Sequence, residues 1–331
     1  MQNDKMSVSR YVPVYQNMAI NALAFLMPGM KTVDWWSHID SDGRVAFTHD
    51  EIIYKIDIKN IVVSIRTHQF LMYIISKYTD SVRQASTDKW IDNHLKITMS
   101  FEDIAKDFGM SLQATKPMVV QAVDFLYDLD IYAQWQRGRN KVFRRAHAVA
   151  SYEAEINPVT RKGFITIVID KVFAKFMSYM SVMQFPTNLW KVPPKNHTAA
   201  YQFAYYMLLN LKMNFKKRNR DCVFVQKLLA CTVAIPKETS LGSAKQYRQR
   251  IMAPFVRELD LLMKFGILSN WQFVHNDTVV LHDEIIFMNY KEFIKSKVIY
   301  SFSGNLEQKY LKQAIRKAGS IDKGYYYNKD L

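Results

Sequence analysis

Residues 100–145 read SFEDIAKDFGMSLQATKPMVVQAVDFLYDLDIYAQWQRGRNKVFRR, and the order of elements in this stretch decides the fold. Ser100 can cap a short helix, with Asp103 in the place of a capping-box acid. Phe101, Ile104, Ala105 and Phe108 then make one apolar helical face. Gly109 ends that helix, because glycine takes the left-handed conformation cheaply. A second helix is predicted from Leu112, or from near Thr115 because Pro117 costs least in a first turn, to Leu129. Ile131 to Trp135 reads as a strand, Arg137 to Lys141 as a tight basic turn, and Val142 and Phe143 as the return strand. Arg137, Arg139, Lys141, Arg144 and Arg145 follow one another with no acid among them.

Two helices and a basic hairpin in this order are the plan of a winged-helix unit, whose wing would lie on phosphates. An ordinary core helix pair with a solvated loop would account for the helices but not for the cations. The pattern recurs downstream. Val123, Phe125, Leu126, Leu129, Ile131 and Trp135 match Leu259, Leu261, Leu262, Phe265, Ile267 and Trp271 at identical spacing. Gln134-Trp135-Gln136 matches Asn270-Trp271-Gln272, and Pro117 and Pro254 fall one register apart. The expected fold is therefore α+β and helix-rich, with two tandem winged-helix domains built from helix-turn-helix and hairpin wing.

Outward from this stretch, Tyr11 to Tyr15 and the half-alternating Ile52 to Ile58 suit strands. Phe70, Leu71, Ile74, Ile75 and Tyr78 suit a helix, and Trp35-Trp36 suits core packing or a dimer contact. Tyr152 to Ile156 and Phe164 to Ile169 read as a further hairpin extending the wing sheet, and Val172 to Met183 as a helix. Prolines and turn formers from Phe185 to Asn196 suggest a linker. This places an N-terminal α/β segment and first winged-helix domain in 1–184, a second winged-helix domain in 185–300 and a basic tail in 301–331. Beyond the linker come an apolar helix from Ala199, a short helix from Val223 to Ala230, and a loop from Cys231 to Ser243. A long helix from Ala244 to Phe265 follows, then strands around His275-Asn276-Asp277 and a last helical region from Tyr290 to Ile299.

The chain has 331 residues, 49% hydrophobic and 23% charged, which is globular composition with room for two domains. A net charge of +15 calls for a polyanionic partner, nucleic acid first and anionic membrane second. No apolar run approaches the length of a spanning helix, and 1–14 does not read as a signal peptide. Cys222 and Cys231 suit two reduced thiols in a cytoplasmic protein better than a zinc site or a disulfide. Phosphate-loop, dinucleotide, zinc-protease and His-hydrophobe-His signatures are absent, so no enzyme, metal or cofactor is expected. His147, His275 and His282 each stand alone, Tyr325-Tyr326-Tyr327 lies in the basic tail without a metal site, and His282-Asp283-Glu284 reads as a solvated turn.

The chain resembles the replication initiator (Rep) proteins of theta-replicating plasmids and mobile elements of low-GC Gram-positive bacteria. The likeness runs over roughly residues 60 to 275. It rests on Met99-Ser100-Phe101-Glu102-Asp103-Ile104-Ala105-Lys106, Ala200-Tyr201 with Asn214, Val225-Gln226-Lys227-Leu228-Leu229, Ile251-Met252-Ala253-Pro254-Phe255, Leu259-Asp260 and Trp271. These motifs are structural and include no catalytic residue. The resemblance implies binding to double-stranded DNA at origin repeats, a homodimer that can exchange with monomer, and recruitment of the host replicative helicase or its loader. The loop from Cys231 to Ser243 departs from a compact helix-turn-helix.

On this reading Gln113, Thr115 and Lys116 read bases in the first unit, and Arg137, Arg139 and Lys141, continued by Arg144 and Arg145, grip phosphates or the minor groove. In the second unit Lys245, Gln246, Arg248 and Gln249 read bases. Arg250 and the cluster Lys216, Lys217, Arg218 and Arg220 grip backbone. A transcriptional repressor would share these features. A basic protein binding nucleic acid or membrane without sequence preference would not need the duplication.

Overall fold

The computed structural model describes residues 10–16, 44–49, 52–57, 63–84, 96–137, 139–160, 162–171, 173–174, 181–215, 217, 219–236, 243–306 and 309. Trp35-Trp36 and the tyrosine run of the tail lie outside the described residues. In chain order the elements are β1 (Tyr11–Gln16), β2 (Arg44–His49), β3 (Ile52–Asp57), α1 (Ile65–Gln84), β4 (Lys96–Ser100), α2 (Phe101–Phe108) and α3 (Leu112–Asp128). There follow β5 (Asp130–Arg137), β6 (Asn140–His147), β7 (Val149–Ile156), β8 (Gly163–Ile169), β9 (Ser181–Pro186), α4 (Pro194–Asn214), β10 (Cys222–Phe224) and α5 (Val225–Ala230). The chain continues through α6 (Ala244–Tyr247), a π-turn (Arg248–Met252), α7 (Ala253–Lys264), β11 (Leu268–His275), β12 (Thr278–Val280), α8 (His282–Ile285), α9 (Tyr290–Lys295) and β13 (Lys297–Phe302).

Local chemistry sets the helix ends. Ser100 Oγ accepts the Asp103 N–H at 3.0 Å and donates to the Asp103 carboxylate at 2.6 Å, so the cap forms where its spacing places it. Gly109 sits at φ 62 and its N–H reaches back to the last carbonyls of α2. Helix α3 starts at Leu112 because Ser111 caps it, accepting from Ala114 N–H, and Pro117 lies inside the helix. The start near Thr115 is thereby corrected. The Ser111 side chain and its carbonyl take the Ala114 and Thr115 N–H groups, so the helix is already under way when the chain reaches Pro117.

Strand pairing defines two units of winged-helix-like architecture. In the first, β4, β8 and β7 form an antiparallel sheet in the spatial order β4-β8-β7. In the second the order is β10-β13-β11-β12. Each unit thus runs helix, strand, helix, helix, strand, strand, and its last strand lies between the other two: α1-β4-α2-α3-β7-β8 and α4-β10-α5-α6/α7-β11-β13. The internal repeat matches helix and first buried residue, since Ile131 and Ile267 are both fully buried. It then breaks. β11 takes the second strand position of its sheet, whereas β5 leaves for a separate sheet in the order β2-β3-β5-β6.

That divergence corrects the placement of the wing. By strand order the wing of the first unit is β7–β8, and the basic β5–β6 hairpin is an insertion ahead of it. The second hairpin is not an extension of the basic one. Of the helix predicted from Val172 to Met183, Phe173 and Ala174 are helical, 175–180 lie outside the described residues, and the last residues are corrected, because Ser181–Pro186 pairs along β1 as a strand.

The stretch from Phe185 to Asn196 is no exposed linker. Phe185, Leu189, Trp190 and Val192 are buried, and Trp190 packs edge-on to Tyr73 at 4.9 Å. Gln69 Nε2 donates to the carbonyls of Leu189 (2.8 Å) and Val192 (3.1 Å), and Asn188 Nδ2 donates to the Phe265 carbonyl (2.8 Å). These prolines shape a packed connector whose backbone groups are satisfied by buried amides. Helices α1 and α4 meet beside it, where His68 Nδ1 lies 2.7 Å from Tyr201 OH, so one apolar core runs through both units.

Candidate nucleic-acid interface

In the second unit α6, the π-turn and α7 occupy the recognition-helix position. Ser243 Oγ accepts the Gln246 N–H (3.4 Å) and starts the helix. Ile251, Met252, Phe255, Leu259 and Leu262 bury one side. Lys245, Gln246, Arg248, Gln249 and Arg250 are left exposed, all within the first two turns. Pro254 lacks an N–H, and the chain widens just before it: Ala253 N–H bonds to the Arg248 carbonyl, five residues back. Arg248 lies with its guanidinium carbon 5.0 Å from the centre of the Phe287 ring, and Tyr247 stacks on Tyr290 at 4.6 Å. Further along, Arg257 pairs with Glu258 at 3.3 Å and is not an open cation. Trp271 Nε1 donates to Asp260 (3.0 Å), and His282 stacks on the Trp271 ring at 4.0 Å, so the predicted solvated turn is a short helix closing over Trp271.

The first unit differs in charge. Gln113 is exposed at the start of α3, and Lys116 is half-buried with its Nζ 5.8 Å over the Phe101 ring. Thr115 is fully buried, with its hydroxyl donating to the Ser111 carbonyl at 2.9 Å. It cannot reach a base edge, and its role as a reader is withdrawn. Among the described residues of α3 and the β7–β8 wing, the exposed acids Asp124, Asp128, Glu153 and Glu155 face only Lys116 and Lys162. Asp124 accepts the Tyr152 hydroxyl, tying helix to wing.

The cations of this half sit on the inserted hairpin. Arg139, Lys141, Arg144 and Arg145 are exposed, and the side chain of Arg137 lies outside the described residues. Lys141, Phe143 and Arg145 alternate onto one face of β6, opposite Gln136, Gln134 and Tyr132 of β5. Phe143 is 70% exposed there, a large apolar surface amid cations. Arg145 is engaged, because Nε (2.8 Å) and Nη2 (2.5 Å) donate to both oxygens of Asp130. That hydrogen-bonded guanidinium holds the Asp130 carboxyl below its ordinary pKa. Arg145 thus anchors the hairpin's base and is a weaker candidate for phosphate than Arg139 or Lys141. In the second cluster Lys217 is exposed, and Lys216 and Arg218 lie outside the described residues. Arg220 donates to the Phe215 carbonyl at 3.3 Å and lies over its ring, so it closes its own turn.

Sequence reasoning missed Phe287 and Tyr290, which hold the start of the second recognition helix. The signal available was Phe287 itself, in the apolar run from Ile285 to Met288 between polar turns. Among the described residues no His, Cys, Asp and Glu cluster could hold a metal, and no helix is long and apolar enough to cross a membrane.

No protein-family model matches the chain, and no curated protein does. Two solved structures show a remote likeness. One is the WH1 domain of MSBI1.176, a replication protein isolated from a multiple sclerosis patient, with 13% identity over 34% of this chain and 79% of that one, at a TM-score of 0.26. The other is domains 2 and 3 of RctB, with 11% identity over 80% of this chain and 92% of that one, at a TM-score of 0.43. The similarity to replication-protein domains is remote, and the architecture above rests on the strand order of this chain.

Proposed function

We propose that the chain is a non-catalytic, sequence-specific binder of double-stranded DNA. Its two units, from α1 to β8 and from α4 to β13, act as tandem winged-helix domains that engage one duplex. The observation that carries this reading is the exposed set Lys245, Gln246, Arg248, Gln249 and Arg250 at the start of the helix in recognition position. Cations and amides together there can grip phosphate and read base edges. Arg139 and Lys141 of the inserted hairpin add phosphate contacts from the other half. The finer role, a plasmid or mobile-element initiator that binds origin repeats and recruits the host helicase, rests on the sequence resemblance to Rep proteins.

The test is titration of the protein onto duplex DNA flanking its own gene, and onto a shuffled duplex, at two salt concentrations. Preference for the native duplex of about a hundredfold or more at the higher salt is expected. Arg139→Ala and Arg250→Ala should each lower the salt slope by about 0.9, the loss of one phosphate contact. Equal, steeply salt-dependent affinity for both duplexes, with slopes unmoved by either substitution, would overturn the reading. A plasmid carrying the gene and its flanking DNA then separates initiator from repressor by whether it replicates.

A further inference from the structure

The insertion between the last two strands of the second unit, β12-α8-α9, touches the helix in recognition position at Tyr247 and Arg248. Phe287 and Tyr290 come from this insertion, and they lie against Arg248 and Tyr247. Phe287 is 63% exposed, so it contributes little to the core. What it does instead is cover one face of a guanidinium. A guanidinium over an aromatic face keeps its N–H donors in plane and pointing outward, while its rotamer freedom falls. The π-turn beginning at Arg248, forced where Pro254 withholds its N–H, fixes the backbone from which that side chain springs.

We infer that Phe287 is a positioning residue that presents Arg248 edge-on to a guanine, whose O6 and N7 accept the paired donors of an arginine. The inference rests on the duplex-binding reading and adds to it one base and one residue outside the helix-turn-helix. Arg250, exposed two positions on with no described ring beside it, lacks this preparation and serves as a phosphate contact.

The experiment is selection of bound duplexes from a randomised pool by the full chain and by Phe287→Ala, Phe287→Tyr and Arg248→Lys. The native protein should enrich a motif containing at least one fixed guanine. Phe287→Ala should lose preference at that position by about fivefold or more, the low end of what a bidentate contact discriminates. Its other positions, its salt slope and its melting temperature should stay in place. Phe287→Tyr should restore the preference, and Arg248→Lys should not, because an ammonium cannot make the paired contact. A motif unchanged in Phe287→Ala would overturn the inference alone. Duplex bound with no motif enriched by the native protein would overturn it together with the proposed function.

Discussion

His68 joins the first helices of the two units, and acid should loosen that joint by a calculable amount. Its Nδ1 is 2.7 Å from Tyr201 OH, its ring lies edge-on to Tyr205 at 4.8 Å, and its Nε2 is buried without a partner among the described residues. Burial pushes its pKa down from 6.5 to about 3. Between these values the unfolded chain binds a proton that the native protein refuses. Stability is therefore complete above pH 6.5 and falls as pH drops toward 3. Each unit of pH in that window costs about 1.4 kcal/mol, so about 2 kcal/mol is lost between pH 7.5 and 5. Urea unfolding at the two pH values, for the native protein and His68→Gln, measures it. Gln cannot titrate, so its loss on acidification should be smaller by about 2 kcal/mol, whatever its stability at neutral pH. Equal losses in the two proteins would refute the reasoning and mean that the ring takes up its proton in the folded state.

Two further outcomes separate packing from reading. Thr115→Val should leave duplex affinity and base preference unchanged and lower stability by about 1 kcal/mol, the hydroxyl bond to Ser111; a changed motif at full stability would return Thr115 to the interface. At Gly163 an added Cβ would stand 1.9 Å from the Glu155 carbonyl oxygen, so Gly163→Ala should part the β7–β8 pairing. Amide exchange at Phe164 and Thr166, whose N–H groups point to β7, should quicken and stability fall by about 1–3 kcal/mol; unchanged protection at both amides would speak against β7–β8 as a paired wing.

Where the sequence is legible, the determinants are local. The Ser100 cap, the Gly109 stop and the buried face of α2 and α3 each follow from residues within a few positions of one another, and all stand as spaced. The misreadings are non-local. Strands β4, β10 and β13 complete the two winged-helix-like sheets, and none is evident in the sequence. β4 offers only Ile97 and Met99 to the core, and β10 is three residues long. β13 follows α9 so closely that Val298 and Ile299 read as more helix. Their strand character comes from partners dozens of residues away. Taking positive charge as the mark of the wing led to the β5–β6 hairpin, whereas strand order alone identifies β7–β8.

The two units share a scaffold and differ in what interrupts it. In the first, the insertion falls between recognition helix and sheet, and it brings Arg139 and Lys141 to a unit whose own helix and wing expose Asp124, Asp128, Glu153 and Glu155. In the second, the insertion falls between the last two strands, and it brings Phe287 to an arginine already on the helix. Phosphate contacts set affinity and salt dependence, and base contacts set sequence choice. On the proposed reading the first insertion serves affinity and the second serves specificity, so the two properties are separable by substitution. Arg139→Ala should alter the salt slope and spare the motif, and Phe287→Ala should alter the motif and spare the slope. A pair of equivalent winged-helix domains, each gripping and reading with its own helix and wing, would tie the two properties together in both halves, and the acids around the first recognition helix weigh against that arrangement.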